Sequence, residues 1–370
     1  MIKRKAQFKL WIALFFYILT GGMRILNSKL VSIYRTFAQE ECRGVSRLYE
    51  VLARNIAEDE EVLKLSEKAK EGQPVPNLLF GAVHYLLLQG RPHKLKHFYR
   101  SMTDQPKDPE NSFPCFKNFC RLYSKEIESL LQTKLVQTNE VRRCTYLYPV
   151  FCEVYRLTKN PLAMIELGTS AGLQLLWDQY SYVYEGEEVY GNRNSSLLLS
   201  SEVRTVTAPF LLKTSPPAGK RIGVDLNVSD LTNEEEYLWL KALIWPEHNE
   251  RRLLFERAAL HYVKNPPQLV EGNAVELLED LVATVPENET LCIFHTHVAN
   301  QLSHSMKKDL LYKIRQIGKR RNVFHIYNNM DDQKLHVDAI INQKEQRHTI
   351  GQIDGHGRWF EWQPPLIRFD

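Results

Sequence analysis

Residues 164–173 read Met-Ile-Glu-Leu-Gly-Thr-Ser-Ala-Gly-Leu, a short apolar run followed by a turn with two glycines. A run of this kind that leads through glycine into a helical pattern is typical of a parallel strand, a tight turn and a helix start. Gly168 and Gly172 let the backbone turn sharply and approach a ligand, and the first N–H groups of the following helix attract a carboxylate or a phosphate. The stretch therefore predicts a nucleotide-type binding turn at the end of a strand.

Further short apolar runs follow along the C-terminal half of the chain. They lie at residues 163–167, 222–226, 291–294 and 323–327, with a weaker one at 268–270. Most are separated by stretches of helical length, at 173–180, 234–263, 274–281 and 306–317. Buried parallel strands that alternate with helices read in this way, so we expect an α/β fold with a Rossmann-like, doubly wound, mostly parallel sheet.

Residues 181–220 interrupt this alternation. Gly191-Asn192 and Pro216-Pro217 stand among segments rich in Tyr and Val, which predicts a hairpin insertion after the first helix. Near the end of the chain, residues 350–362 predict an antiparallel edge hairpin.

Helical patterns dominate the N-terminal half. Leu30, Ile33, Tyr34 and Phe37 follow the i, i+3, i+4, i+7 spacing of one helix face, and similar patterns continue to about residue 160. We therefore predict an apolar extension over 1–22, an all-α N-terminal domain over 23–160 and a Rossmann-like domain over 161–370.

The first 22 residues combine basic side chains with an apolar run. Leu10–Met23 carries no charge, but 14 residues of helix reach only about 21 Å, short of a hydrocarbon core of about 30 Å. No small-residue cleavage site follows the run. Three interpretations stay open: a weak membrane anchor, a cleaved signal, or a true start near Met23, which we favour. The predicted location is the cytoplasm, with membrane association through residues 8–22 as the alternative.

Charge and cysteine content give no support to a nucleic-acid-binding protein and exclude a small disulfide scaffold. The chain has 48 Lys+Arg against 44 Asp+Glu, and the whole excess lies in residues 1–22, so bulk charge does not predict a nucleic-acid partner. Six cysteines are sparse in 370 residues and show no C-x-x-C spacing, which favours reduced thiols over a disulfide framework.

The glycine turn and the ends of two later runs suggest one cofactor. The spacing E-x-G-x-x-x-G, which begins at Glu166, resembles the first motif of S-adenosylmethionine-dependent methyltransferases, with Ser170 where their second glycine stands. Asp225 ends the second run, where a Rossmann fold binds ribose hydroxyls, although it follows Gly168 by 57 residues instead of the usual ~20. Asn273 stands in a segment that resembles the adenine-binding motif. We predict a cofactor site made of Glu166, Gly168, Thr169, Ser170, Gly172, Asp225, Asn227, Asn273 and Ala274.

Other polar residues suggest chemistry beside that cofactor. His295 and His297 follow the fourth run, and Glu140 lies in the polar patch Gln-Thr-Asn-Glu at 137–140. We predict these three as catalytic groups acting on a small-molecule acceptor that lies under the helical domain, near His84. His304 follows a little later, but its distance along the chain from His295 and His297 matches no recognisable metal-ligand spacing. No metal site is therefore predicted.

Two alternatives from other classes remain. Residues 168–172 also spell G-x-S-x-G, the nucleophile elbow of α/β-hydrolases, which would make Ser170 a nucleophile. A hydrolase elbow follows several earlier strands, whereas the residues before 161 are helical in pattern. A non-catalytic ligand-binding or interaction protein that retains the fold is the other alternative, so whether the chain is an enzyme stays open, as does its oligomeric state.

Several motifs together resemble one family. They are Pro-Asn-Leu-Leu at 76–79, Ala-Val-His-Tyr-Leu-Leu at 82–87, Gln-Thr-Asn-Glu-Val at 137–141, residues 166–173, Gly-Val-Asp-Leu-Asn at 223–227 and Trp-Pro-Glu at 245–247. Their combination, from about Tyr34 to Trp362, resembles an uncharacterised bacterial family catalogued as domain of unknown function 2332. Because no activity is established for that family, the resemblance implies a fold and a pocket more than a reaction.

Overall fold

A computed structural model describes residues 28–205, 207–365 and 367. The predicted apolar extension over 1–22, with its candidate membrane anchor, lies outside these residues. Among the helices described, none combines the length and the apolar character needed to cross a membrane.

The chain divides into two compact units. One contains the described residues up to Gln137 together with Leu238–Glu250, and the other contains Thr138–Tyr237 and everything from Arg251 onward. The boundary between Gln137 and Thr138 lies upstream of the predicted division near residue 160.

The first unit is built from helices. Residues 28–36 are helical and continue into a π-helical turn, Phe37–Cys42, and two 3-10 turns follow further on at Lys94–Phe98 and Pro109–Asn111. The α-helices are α1 Arg47–Ile56, α2 Glu60–Ser66, α3 Val75–Leu88, α4 Phe113–Leu122 and α5 Ser124–Thr133. Side chains cap two of them, since Ser46 accepts from the Tyr49 N–H and Asp59 from the Val62 N–H.

The second unit is organised around a mixed, mostly parallel sheet of seven strands. The strands of the chain are β1 Leu162–Leu167, β2 Ser181–Val183, β3 Tyr190–Gly191, β4 Leu198–Ser200, β5 Glu202–Val203, β6 Ala218–Asp225, β7 Gln268–Glu271, β8 Thr290–His295, β9 Val323–Tyr327, β10 Leu335–Ile341, β11 Lys344–Gly351 and β12 Trp359–Phe360. The main sheet has the order β11-β10-β9-β8-β1-β6-β7. Strands β9 to β7 in that order are parallel, and β10 is antiparallel to both of its neighbours.

The predicted insertion holds the small strands. β3-β2-β4 form a three-stranded sheet within it, and β5 pairs with β12 from the end of the chain. The antiparallel edge of the main sheet is the hairpin β10–β11, so the edge hairpin lies before the predicted residues 350–362. Its two-residue turn, Asn342-Gln343, has φ of 50° and 67°, the conformation of a type I′ turn, but contains no glycine to signal it.

The remaining α-helices are α6 Cys144–Thr158, α7 Glu234–Ala242, α8 Asn249–Lys264, α9 Ala274–Ala283 and α10 His304–Gly318. Of these, α9 and α10 pack on one face of the main sheet and α6 packs on the other. Ile165 and Ile293 belong to the core cluster on one face, with Leu278 of α9 and Leu310 of α10. On the other face, the Phe151 ring of α6 lies 5.8 Å from that of Phe294.

The strand order locates the crevice where a ligand can bind. From β1 the chain proceeds to β6 and β7 on one side and then returns to β8 and β9 on the other. The loops after β1 and β8 therefore diverge, and an open α/β sheet binds its ligands at the carboxyl ends of such a strand pair. The site is built from the residues at this edge.

Candidate functional site

The glycine turn after β1 has an unusual backbone. Gly168, Ser170 and Gly172 have φ of 71°, 51° and 70°, so three of five consecutive residues are left-handed. The element that follows is a 3-10 helix, Leu173–Gln179, whose regular geometry is broken at Leu176. The helical stretch predicted at 173–180 is therefore a broken 3-10 helix instead of an α-helix.

The N–H groups of the turn already have partners. Gly168 N donates to Val224 O at 2.8 Å, and Gly172 N donates to Thr169 O at 2.8 Å. Ser170 N donates to the Asp225 carboxylate at 2.8 Å. The N–H groups of the turn itself are therefore bonded to acceptors of the chain, whereas the expected anion site concerned the first N–H groups of the helix that follows and stays a prediction.

Asn139 binds the glycine turn through two hydrogen bonds of its side-chain amide. Its amide nitrogen donates to Ser170 Oγ at 3.0 Å, and its amide oxygen accepts from Ala171 N at 3.2 Å. Asn139 was visible in the sequence only as part of a polar patch, and the contact joins residues 31 and 32 positions apart. Only the folded structure reveals its role.

Asp225 lies directly beside the turn, as the end of the second apolar run predicted. One carboxylate oxygen accepts from Ser170 N, and the other accepts from Asn227 N at 3.1 Å. The side chain is half-buried. Because each carboxylate oxygen accepts more than one hydrogen bond, Asp225 retains acceptor capacity for a ligand.

Glu166 is a buried carboxyl group at the end of β1. It accepts from Thr169 Oγ1 at 2.6 Å and is only 2% exposed. Burial, together with the negative charge of Asp225, raises its pKa to about 8 against the opposing effects of the Thr169 bond and Arg143. Gly223 makes room for this pair, since a Cβ there would lie 2.4 Å from Thr169 Oγ1.

Two substitutions of Ser170 distinguish the energetic cost of its left-handed backbone from the contribution of its hydrogen bond. Ser170→Ala and Ser170→Gly both remove the bond to Asn139, but only glycine relieves a left-handed φ. We expect the glycine variant to be the more stable by about 1 kcal/mol. Urea unfolding of the two variants measures this difference, and an alanine variant that is equally stable would show that the turn carries no strain.

Asn273 and Ala274 begin α9. The Asn273 amide oxygen accepts from the N–H groups of Val275 and Glu276, and its nitrogen donates to the Glu276 carboxylate at 2.8 Å. Asn273 is thus the N-cap of the helix, and its amide oxygen is engaged within the chain.

Glu140 is the centre of a buried ion-pair cluster. It is 3% exposed and accepts from Arg251 Nε at 2.7 Å and from His356 Nδ1 at 3.1 Å. Burial alone would raise the pKa of Glu140, but the His356 bond and the charges of Arg251 and Arg143 lower it. The carboxylate therefore stays ionised and fixed in place.

His295 forms a buried pair with a histidine on the adjacent strand. Its Nε2 lies 3.1 Å from Nε2 of His325, and both rings are 1% exposed. Burial lowers the pKa of His295 to about 3, and it lowers the pKa of His325 well below its usual value. The two Nδ1 atoms have no partner within the described residues.

His297 lies two residues beyond β8, close to His356 of the Glu140 cluster. Its Nε2 is buried without a partner among the described residues. Burial and then the nearby Arg143 and His356 lower its pKa to about 4, so the ring is neutral at physiological pH. His84, in the other unit, bonds to Ala242 O at 2.9 Å and to Ser101 Oγ at 2.8 Å and is a satisfied core residue.

The segment after β8 also contacts the glycine turn. A Cβ at Gly168 would lie 2.4 Å from the Val298 side chain, and Gln174 exchanges hydrogen bonds of 3.1 Å with Thr296. Within the described ranges, no group of three or more His, Cys, Asp or Glu side chains is placed to hold a metal ion.

Sheet and site together define a mixed α/β protein with polar residues gathered at the switch point of a mostly parallel sheet. A model of the family described as "Uncharacterized protein conserved in bacteria (DUF2332)" matches residues 31–362, and the chain belongs to this family. The family resemblance inferred from the motifs is confirmed. Comparisons with curated proteins and with solved structures give no match.

Proposed function

We propose that the protein is an S-adenosylmethionine-dependent methyltransferase that acts on a small-molecule acceptor. The observation that carries the proposal is the order of the five parallel strands, with the E-x-G-x-x-x-G turn after the central strand and Asp225 after the next one. Numbered in chain order, these strands run 3-2-1-4-5, an order typical of Rossmann-like nucleotide-binding sheets. The turn follows the strand at the switch point and Asp225 ends the neighbouring strand at the same carboxyl edge, which supports the proposal.

The donor and acceptor chemistry of the turn suits the nucleoside part of this cofactor. Ribose hydroxyls are donors, and Asp225 retains acceptor capacity beside its bonds to Ser170 and Asn227. Glu166 lies at the same strand end, where it adds a second carboxyl group near the turn. Asn273 suits adenine less well, because its amide oxygen already accepts two bonds as a helix cap.

When bound, the cofactor supplies an electrophilic methyl group, and the chain's residues orient the partners. Of the three predicted catalytic groups, Glu140 is held by Arg251 and His356, and His295 is buried against His325. We therefore assign positioning roles to these two. His297 retains a polar atom for a reacting molecule.

Calorimetry with S-adenosylmethionine tests this proposal. We expect roughly micromolar binding, weakened roughly ten- to a hundredfold by Asp225→Asn, because the variant loses a charged acceptor. Asp309→Asn, which changes an exposed carboxylate on α10, is the matched control and should bind as wild type. Thermal melting checks that each variant is folded. Absence of binding heat from folded protein, or an unaffected Asp225→Asn, contradicts the proposal.

One observation favours the hydrolase alternative and another opposes it. Ser170 has the positive φ that a nucleophile elbow requires, but its Oγ accepts from Asn139, and no histidine among the described residues bonds to it. Labelling of the wild type but not of Ser170→Ala by a fluorophosphonate probe would establish the hydrolase instead.

A further inference from the structure

His297 is held in a strained conformation by two asparagines that follow β9. Its φ is 57°, which a non-glycine residue adopts at a cost of about 1–2 kcal/mol. Its N–H donates to Asn328 Oδ1 at 2.7 Å, and its Nδ1 accepts from Asn329 Nδ2 at 3.1 Å. The backbone and the ring are thus both fixed by neighbouring side chains.

These bonds determine which ring nitrogen bears the proton. Because Nδ1 accepts a hydrogen bond, the neutral ring carries its proton on Nε2. Nε2 is buried and has no acceptor within the described residues. A buried donor without an acceptor is costly, so its fixed orientation indicates an acceptor that a ligand supplies.

Arg143 contacts Gly355, a residue that also lies beside the His297 ring. Its Nε donates to Gly355 O at 3.0 Å, which fixes the guanidinium and leaves the donors on its two terminal nitrogens. A Cβ at Gly355 would lie 3.5 Å from His297 Cε1, so both side chains converge on this one residue. Arg143 is buried, and its charge also acts on Glu166 at the glycine turn.

We propose that the Nε2–H of His297 and the guanidinium of Arg143 together bind a carboxylate group of the ligand. The proposal rests on the proposed function only for the identity of that ligand. A planar carboxylate suits a guanidinium and one further donor, since it accepts two bonds in one plane. A phosphate suits the carboxyl edge of the sheet less well than a carboxylate does. The N–H groups of a glycine turn that usually bind phosphate already donate to acceptors of the chain here.

Two molecules can present the carboxylate: the amino-acid part of S-adenosylmethionine, or the acceptor. Titrations of full-length protein containing 15N-labelled histidine follow the ring signals, and His297→Asn identifies that of His297. Asparagine tolerates the left-handed backbone and retains an acceptor for Asn329 but lacks the Nε2–H. The probes are S-adenosylmethionine, 5′-methylthioadenosine, which lacks the amino-acid part, and acetate.

In the first arm, we expect S-adenosylmethionine to shift the His297 signal and 5′-methylthioadenosine to leave it unchanged. His297→Asn and Arg143→Lys should each weaken the binding of S-adenosylmethionine roughly ten- to a hundredfold and leave that of 5′-methylthioadenosine as in wild type. His336→Asn and Arg320→Lys are the matched controls, since both residues lie outside the cluster. This result assigns the carboxylate to the cofactor.

In the second arm, a saturable shift of the His297 signal by acetate, lost in Arg143→Lys, supports the site with a carboxylate from the acceptor. The acetate titration tests the carboxylate site even if neither S-adenosylmethionine nor 5′-methylthioadenosine binds. In that case the methyltransferase proposal fails and the carboxylate site is still tested. A His297 signal that no carboxylate probe moves overturns the carboxylate site. So does binding of S-adenosylmethionine that shifts the signal but is unchanged in both variants.

Discussion

Acidification from about pH 7.5 to about pH 5 is expected to lower the opening free energy of the β8–β9 region by about 2 kcal/mol through His295 alone. The pKa of His295 falls from 6.5 to about 3 in the folded state, first through burial and then through Lys307. Between these two values the unfolded chain binds a proton that the folded chain does not. Stability is therefore complete above the unfolded pKa and declines as the pH falls toward the folded one. His325 acts in the same direction, because its pKa is also lowered.

Hydrogen exchange of the β8 and β9 amides measures this loss, after correction for the pH dependence of chemical exchange. The comparison is with the double variant His295→Gln/His325→Gln, in which glutamine side-chain nitrogens replace the ring Nε2 atoms. Because both proteins contain the same carboxylates, the carboxylate contributions to the pH dependence cancel in the difference. The double variant should show a pH dependence weaker by about 2 kcal/mol or more. If it does not fold, the ring signals of the wild type decide. A His295 ring that gains a proton near pH 6.5 refutes the prediction.

Gly168→Ala is expected to destabilise the sheet-containing unit by about 3 kcal/mol, the sum of a left-handed alanine and an overpacked side chain. Gly168 has a φ of 71°, and a Cβ there would lie 2.4 Å and 2.9 Å from the two methyl carbons of Val298. Valine is stiff at χ1, so these methyl groups move only with the backbone. The affinity for S-adenosylmethionine, the ligand proposed for the turn, should also fall in this variant, because Ser170 and Asp225 depend on the same backbone.

Two variants separate the contributions at Gly168. Gly186 has a φ of 65° with open space around its Cβ position, so Gly186→Ala reports the backbone cost alone, about 1–2 kcal/mol. Gly168→Ala/Val298→Ala removes the two methyl groups and should recover most of the packing cost. Urea unfolding midpoints measure all three. A Gly168→Ala that is no less stable than Gly186→Ala would show that Val298 does not press on the turn.

The strands of the main sheet were largely predictable, because the sequences of buried parallel strands are uninterrupted apolar runs. Val323–Tyr327 was predicted with its observed bounds, and the run at 291–294 lies within Thr290–His295. The predicted helical stretch 234–263 is two helices, since Trp245-Pro246 falls between α7 and α8 and proline disfavours helix at the residue before it. The hairpin β10–β11 was missed, because its turn residues lack the glycine that usually marks such a turn.

The candidate site was less predictable, because its residues act through partners that are distant in sequence. Glu166 and Asp225 follow apolar runs and were identified from that pattern. The roles of Asn139, Arg143 and His325 depend on contacts with Ser170, Gly355 and His295, which no local spacing reveals. The sequence does not distinguish His84, His295 and His297 from one another. In the structure His84 bonds through both ring nitrogens and His295 pairs with His325 through Nε2. His297 differs from them because two asparagines fix its backbone and ring, while its buried Nε2 has no partner within the described residues.

The contacts of residues 355–357 have a consequence for biosynthesis. Glu140 bonds to His356 across 216 positions, and Arg143 and Thr145 bond to the carbonyl groups of Gly355 and Gly357 across 212. A chain emerging from a ribosome has made Glu140 long before it makes these partners, so the cluster is completed only near the end of translation. Until then, Arg143 and Glu140 lack these partners and are expected to be more exposed to water. We therefore expect nascent chains that stop short of residue 355 to be more sensitive to protease around residues 138–145 than full-length chains.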